Sequence, residues 1–165
     1  MSLLDKLRSK YEEEGWKRLG GLPLEAYILE LFLERRPVLF PGAVVEKYSI
    51  YVVDFPTAMS VATKEQVVNT LQTTWDIVQT LNLWSPSHYM STVRLVVLSN
   101  SVGDDVKNLA VKYRKIRGVR LGLHGLIRQY LVVVDTGRGK IYAHKDLKKQ
   151  IGLFEELFSE PQRGP

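Results

Sequence analysis

No cysteine occurs in the 165 residues, so thiol catalysis, thiolate zinc sites and disulfide frameworks are excluded at the outset. Histidine is nearly as scarce: His88, His124 and His144 stand far apart, with no metal-ligand spacing among them. No apolar run reaches the roughly 18 residues of a spanning helix, and no basic segment followed by an apolar run marks the N-terminus as a signal peptide. The expectation is a soluble, cytoplasmic protein with no membrane partner. Acidic residues are thin in one region: within 107–149 twelve Lys and Arg meet only Asp135 and Asp146, while residues 1–100 are close to neutral. Such asymmetry points to a polyanionic partner, the competing reading being a merely solubilising surface.

What is present suffices for one core. With 45% hydrophobic residues, a chain of this length can bury a core without metal or disulfide support. The expected architecture is a single α/β domain over residues 1–160, with 161–165 as a frayed tail. Its organising stretch is Val93–Tyr113. The apolar, β-branched run Val93–Leu98 reads as an inner strand covered on both faces. Ser99, Asn100 and Ser101 break the run, Ser101 with Asp104 offers a helix cap, and Val106, Leu109, Ala110 and Tyr113 repeat at helical spacing.

Elsewhere the patterns predict a helix from Ser2 to about Leu19 and a second, buried helix from Leu24 to about Arg35. Extended structure follows over Ala43–Pro56. Thr63 and Gln66 begin a helix over 63–82, on which Val67, Leu71, Trp75 and Val78 share a face. A short strand is expected near Val119, and Ile127–Asp135 with Lys140–His144 reads as a β-hairpin. A last helix begins at about Asp146.

Three patterns carry possible chemistry. Asp135-Thr136-Gly137 after an apolar strand looks like the way aspartic proteases present a carboxylate. That chemistry needs a second carboxylate sharing the proton, and the same triplet is a common turn. The segment from Gly137 to Lys140 could hold a phosphate but lacks the P-loop spacing. The cations Lys112, Arg114, Lys115, Arg117, Arg120, Arg128, Arg138 and Lys140 are the candidate contacts to a DNA or RNA backbone, because counterion release needs several cations on one surface. Tyr113, Tyr130 and Tyr142 lie among them, as core residues or as stacking platforms.

The order of elements is helix, extended segment carrying acids, capped helix, the strand RLVVLSNS, the helix GDDVKNLAVKY and the short strand GVRLG. Over residues 2–122 this resembles the PD-(D/E)xK, restriction-endonuclease-like superfamily, in particular its Mrr-type members. The resemblance implies a mixed sheet flanked by helices, here with a C-terminal β-hairpin and helix added. In that family a carboxylate on one strand and an acid-x-Lys on the next hold Mg²⁺ and activate water, often with an acid from the first helix. Carried onto this chain, the metal set is Glu13, Glu46 and Asp54. The pattern departs from the family's at Val52-Val53-Asp54, which has no lysine, so Lys64 would have to join Glu46 and Asp54 as the catalytic group.

Three functions follow as expectations. The leading one is a nucleic-acid-associated protein with a degenerate nuclease site and no cofactor. The second is an active Mg²⁺-dependent nuclease. The third is a non-catalytic protein-interaction or scaffold domain. A homodimer and a protein partner both stay open.

Overall fold

A computed structural model describes residues 1–37, 44–81, 87–119 and 125–159, with the side chains of 33–37, 44–47 and 159 outside that description. The elements run α1 (Leu3–Glu13), β1 (Lys17–Leu19), β2 (Ala26–Pro37), β3 (Val44–Met59), α2 (Lys64–Thr80), β4 (His88–Ser99), α3 (Asp104–Lys112), β5 (Arg114–Gly118), β6 (Leu126–Asp135), β7 (Lys140–Ala143) and α4 (Gly152–Ser159), with a 3-10 turn at Lys145–Leu147. The strands form one mixed sheet in the order β1-β2-β3-β4-β6-β5, and β7 pairs beside β5 on the outer edge of β6. β3, β4 and β6 are parallel to one another, whereas β1, β2 and β3 are successively antiparallel. The predicted α/β class, and Val93–Leu98 as an inner strand between two parallel neighbours, are observed.

Two cores lie on opposite faces of this sheet. On one face α2 and α3 cover Val53, Phe55, Val93, Leu95, Val97, Ile127, Leu131 and Val133. On the other, α1 and α4 cover Tyr27, Val96, Leu98, Tyr130, Val132 and Val134. Alternating residues of β4 and β6 therefore supply both cores, which is why these strands are apolar almost throughout. Gln129 is a buried polar residue on the α2/α3 face. Fully buried, it accepts from the Tyr113 hydroxyl at 2.7 Å and donates to the Leu71 carbonyl and Thr74 Oγ1, each at 2.7 Å. That satisfies its amide and ties β6 to α2 and to the end of α3.

The caps explain where helices begin. Ser2 and Asp5 form the reciprocal capping box of α1, and Thr63 Oγ1 accepts from the Gln66 amide. The expected Ser101 cap is not used: Gly103 is the N-cap of α3, with no side-chain hydrogen bond, and the Ser101 amide instead meets Ser99 Oγ. α1 stops at Glu13 rather than near Leu19. Gly15, at φ 82°, reverses the chain so that Lys17–Leu19 can pair with β2. The last helix also starts later, at Gly152, after the 3-10 turn.

The second predicted helix is overturned. Residues 26–37 form β2, registered against β3 from Tyr27 opposite Asp54 to Pro37 opposite Val44. Its near-continuous apolar run fits a helical face and a two-sided strand equally well by spacing. Pairing with the long β3 decides between them, since backbone hydrogen bonds to a neighbouring strand override local periodicity. The strand expected near Val119 lies slightly earlier, at Arg114–Gly118, with Val119 buried just beyond it. The expected tail at 161–165 lies outside the described residues.

Gly125 shows how tightly β4 and β6 are joined. Its φ is +83°, and a Cβ there would stand 2.1 Å from the Tyr89 carbonyl oxygen. Both the backbone conformation and the space demand glycine. Gly125→Ala is expected to lower stability by about 2 kcal/mol or more, the combined effect of strain and displaced backbone. Urea denaturation of the two proteins measures it, and an unchanged midpoint would contradict the packing.

Candidate nucleic-acid interface and the buried carboxylate

One row of paired residues crosses the α1/α4 face of the sheet: Tyr27, Asp54, Arg94, Tyr130 and Arg114 stand directly opposite one another on β2, β3, β4, β6 and β5. At its centre Asp54, 0% exposed, receives Arg94 in a two-pronged pair, Nε to Oδ1 at 2.6 Å and Nη2 to Oδ2 at 2.7 Å. The Tyr11 hydroxyl donates to the same Oδ2 at 2.7 Å, and Arg94 Nη1 donates to the Gln150 carbonyl at 2.7 Å. The guanidinium also lies over the rings of Trp16 and Phe154, at 5.8 and 5.2 Å. Two buried charges are tolerable only when paired and hydrogen-bonded in this way.

The electrostatics agree. Burial works against the charge on Arg94, but the adjoining Asp54 carboxylate and its hydrogen bonds outweigh it and hold the guanidinium above its ordinary value. Burial, and then the negative charge of Asp54, push the Tyr11 phenol well above its usual range. Burial and the nearby Asp146 raise Tyr130 in the same direction. At the outer end of the row, Asp146 takes a hydrogen bond from Arg114 Nη1 at 3.0 Å and one from the Tyr130 hydroxyl at 3.3 Å.

This geometry decides what Asp54 can do. Its oxygens are occupied by Arg94 and Tyr11, so as placed it does not fit a divalent-ion site. Glu46 lies eight residues earlier on the same unbroken strand β3, about 26 Å away at a strand's rise per residue, and its side chain lies outside the described residues. Lys64 is the exposed first residue of α2. α2 packs on the face of the sheet opposite the Asp54 carboxylate. Glu13 is exposed at the end of α1. The implied set Glu13, Glu46, Asp54 and Lys64 is thus not brought together, and among the described residues no group of three His, Asp or Glu could hold a metal.

Asp135 is equally committed. Only 2% exposed, it accepts the Arg138 amide on Oδ1 at 3.1 Å, closing the turn between β6 and β7. Asp135-Thr136-Gly137 therefore builds a turn, and Gly137 sits where a Cβ would meet the Asn100 carbonyl at 2.7 Å.

The cations form an edge rather than a single patch. Lys112 is exposed at the end of α3, and Arg114, Lys115 and Arg117 follow on β5. Lys115 lies over the Trp75 ring at 4.2 Å, and Arg117 donates to Gln79 Oε1 at 2.8 Å. Arg114 points to the α1/α4 face, Lys115 and Arg117 to the other, as the pairing with β6 requires. Arg128 stands opposite Ile116 on the α1/α4 face, its Nε buried without a hydrogen-bond partner. Arg138 and Lys140 stand apart, exposed in the β6–β7 turn: Lys140 pairs with Asp135, eight residues along β6 from the partner of Arg117. Arg120 lies outside the described residues. Tyr113, Tyr130 and Tyr142 prove to be core or half-buried residues rather than stacking platforms.

A family model for a domain of unknown function, DUF8052, matches residues 2–156. The chain belongs to this family. No match was found among curated proteins or among solved structures. Among the described residues no helix is long and apolar enough to cross a membrane.

Sequence reasoning passed over Arg94, Tyr11 and Gln129. A signal existed for the first: one charge inside the run VRLVVLS of an inner strand must have a buried counter-ion.

Two outcomes follow. Arg94→Leu leaves Asp54 buried and unpaired, and is expected to cost about 3–5 kcal/mol. Arg94→Leu with Asp54→Leu should recover part of that loss, and a double-mutant cycle by denaturant unfolding reads the coupling. Because the Tyr11 phenol is raised in the folded state, its contribution is complete below its unfolded value of about 10 and disappears as pH rises through the folded one. Stability should therefore fall steadily above about pH 10, less steeply in Tyr11→Phe.

Proposed function

We propose that this DUF8052 domain is a non-catalytic, nucleic-acid-associated protein that holds the phosphate backbone along the β5 edge of its sheet. The observation that carries this reading is the cluster of four cations, Lys112, Arg114, Lys115 and Arg117, within six residues. It presents charge to both sides of one exposed edge strand, with Arg128 beside it. Lys and Arg contacts to phosphate position a nucleic acid without reading its bases, so little sequence preference is expected. Asp146, Trp75 and Gln79 steady Arg114, Lys115 and Arg117. That reduces the entropy lost when a phosphate binds, and leaves Arg114 and Arg117 exposed.

The order helix, antiparallel strands, helix, parallel strand, helix and strand supports kinship with the restriction-endonuclease-like core. The neutralised Asp54 supports a role without cleavage. An active Mg²⁺ nuclease would need Lys64 and Asp54 on one side of the sheet. The scaffold reading draws on the same three tethers, which also make sense as protection of an edge strand against wrong pairing.

Binding to DNA and RNA at about 50 mM salt tests the proposal. Reversing Arg114, Lys115 and Arg117 to Glu should abolish most of it and flatten the salt slope by about two to three, near one unit per lost phosphate contact. No binding by the unaltered protein would leave the scaffold reading. Mg²⁺- or Mn²⁺-dependent cleavage that co-purifies with the protein and is lost in Lys64→Ala would establish the nuclease instead.

A further inference from the structure

Among the described residues, the α1/α4 face of the sheet is covered only in part. α1 and α4 lie over the row through Asp54 and Arg94 and over the residues nearer the carboxyl ends of β3, β4 and β6. In the other direction, Leu31, Ile50, Met90 and Leu126 stand opposite one another on β2, β3, β4 and β6 and pack into neither core. Leu31 is 46% exposed, and so is Ile116, which continues this surface onto β5. Next along is an aromatic pair, the rings of Tyr48 and Tyr89 at 5.6 Å, with Tyr89 36% exposed. Between the apolar row and the basic edge stands Arg128, paired in register with Thr92 and Ile116.

A buried guanidinium N–H without an acceptor is costly, and Arg128 Nε is such a group. That atom is enclosed and out of a ligand's reach, but the half-buried guanidinium it belongs to, with Arg114 beside it, makes the rim of this face cationic. The face therefore suits a ligand that brings anionic oxygens to the rim while covering apolar surface. A second copy of the chain does not suit, because the face it would bring carries the same cationic rim and supplies no anionic oxygens of its own. A duplex does not suit either: its bases are stacked on one another and its outer surface is phosphate and sugar. An unpaired strand offers both required parts, since base faces stack on apolar and aromatic side chains while the phosphates follow cations.

We infer that this open half of the sheet is a platform for single-stranded nucleic acid, its bases lying on Leu31, Ile116 and Tyr89 and its phosphates meeting Arg128 and the β5 cations. The inference rests on the proposed use of the β5 edge and adds to it the strandedness of the ligand and a second contact surface.

The test uses the full chain with labelled oligo(dT) and oligo(rU) of about 12 nucleotides and a duplex of equal length at low salt. Single strands should bind about tenfold or more tightly than the duplex. Leu31→Glu with Ile116→Glu, both at exposed positions, should weaken single-strand binding about fivefold or more and leave duplex binding much less affected. Arg128→Met, which keeps the packing stem, should behave likewise, and melting curves of each variant establish that it is folded. Equal affinity for strand and duplex, with these variants silent but the β5 reversal still effective, would overturn the platform and leave the edge proposal standing. Absence of binding to any nucleic acid would overturn both. Competition by poly-glutamate as effective as oligo(dT) would reassign the face to an acidic protein segment.

Discussion

The interior of this protein depends on one ion pair. Arg94 and Asp54 lie side by side on two parallel strands, each out of contact with water. A lone charge at either position would be untenable. Their mutual bonding lets polar chemistry exist in the middle of the sheet, and its remaining valences recruit the surroundings. Tyr11 reaches down from α1, the Gln150 carbonyl comes from the segment before α4, and Trp16 and Phe154 close over the guanidinium. Helices at opposite ends of the sequence are thereby oriented by a common centre. Replacing both charges by apolar residues of similar volume is often close to neutral in energy; what the pair adds is direction, since its hydrogen bonds reach Tyr11 on α1 and the Gln150 carbonyl ahead of α4.

The same pair separates fold from chemistry. A carboxylate following an apolar, β-branched run and ahead of a capped helix has the local appearance of a metal ligand. Yet its neighbour in register is a guanidinium rather than a second acid, and the next lysine along the chain, Lys64, begins a helix on the other face. Identical residues with the side-chain alternation shifted by one would have produced a different protein. Gln129 makes the complementary case on the α2/α3 face, where a neutral amide joins two helices to β6 without any charge.

The two sides of the molecule are unequal. Toward the carboxyl ends of the parallel strands both faces are covered and Asp54, Arg94 and Tyr11 are hydrogen-bonded, while Trp16 Nε1 is buried there without a partner. Toward the other end, among the described residues, the α1/α4 face opens, apolar residues reach the surface and Arg128 Nε lacks an acceptor. Cations gather along the adjoining edge. An exposed edge strand with basic side chains alternating to both faces resists pairing with other chains, and the same side chains are suited to an extended polyanion. Protection of the fold and attraction of a ligand here use one set of residues.

Much of the architecture was written locally. Capping at Ser2 and Thr63, the two-faced apolar strand Val93–Leu98, and the hairpin around Gly137 depend on neighbours a few residues away, and they appear in the structure close to where periodicity put them. Residues 24–35 did not obey that logic, because an apolar run of that density fits helix and strand alike until β3 is there to pair with. The sites divide in the same way. Charge composition by itself marked the region 107–149 as basic. Only strand pairing decided the rest: β5 on β6 which cations share a face, β7 on β6 that Arg138 and Lys140 stand apart from them, and β3 on β4 that Asp54 meets Arg94 instead of Glu46 or Lys64. Side-chain partnership across a sheet is set by strand order and pairing, and these bring together residues 40 positions apart that no local pattern connects.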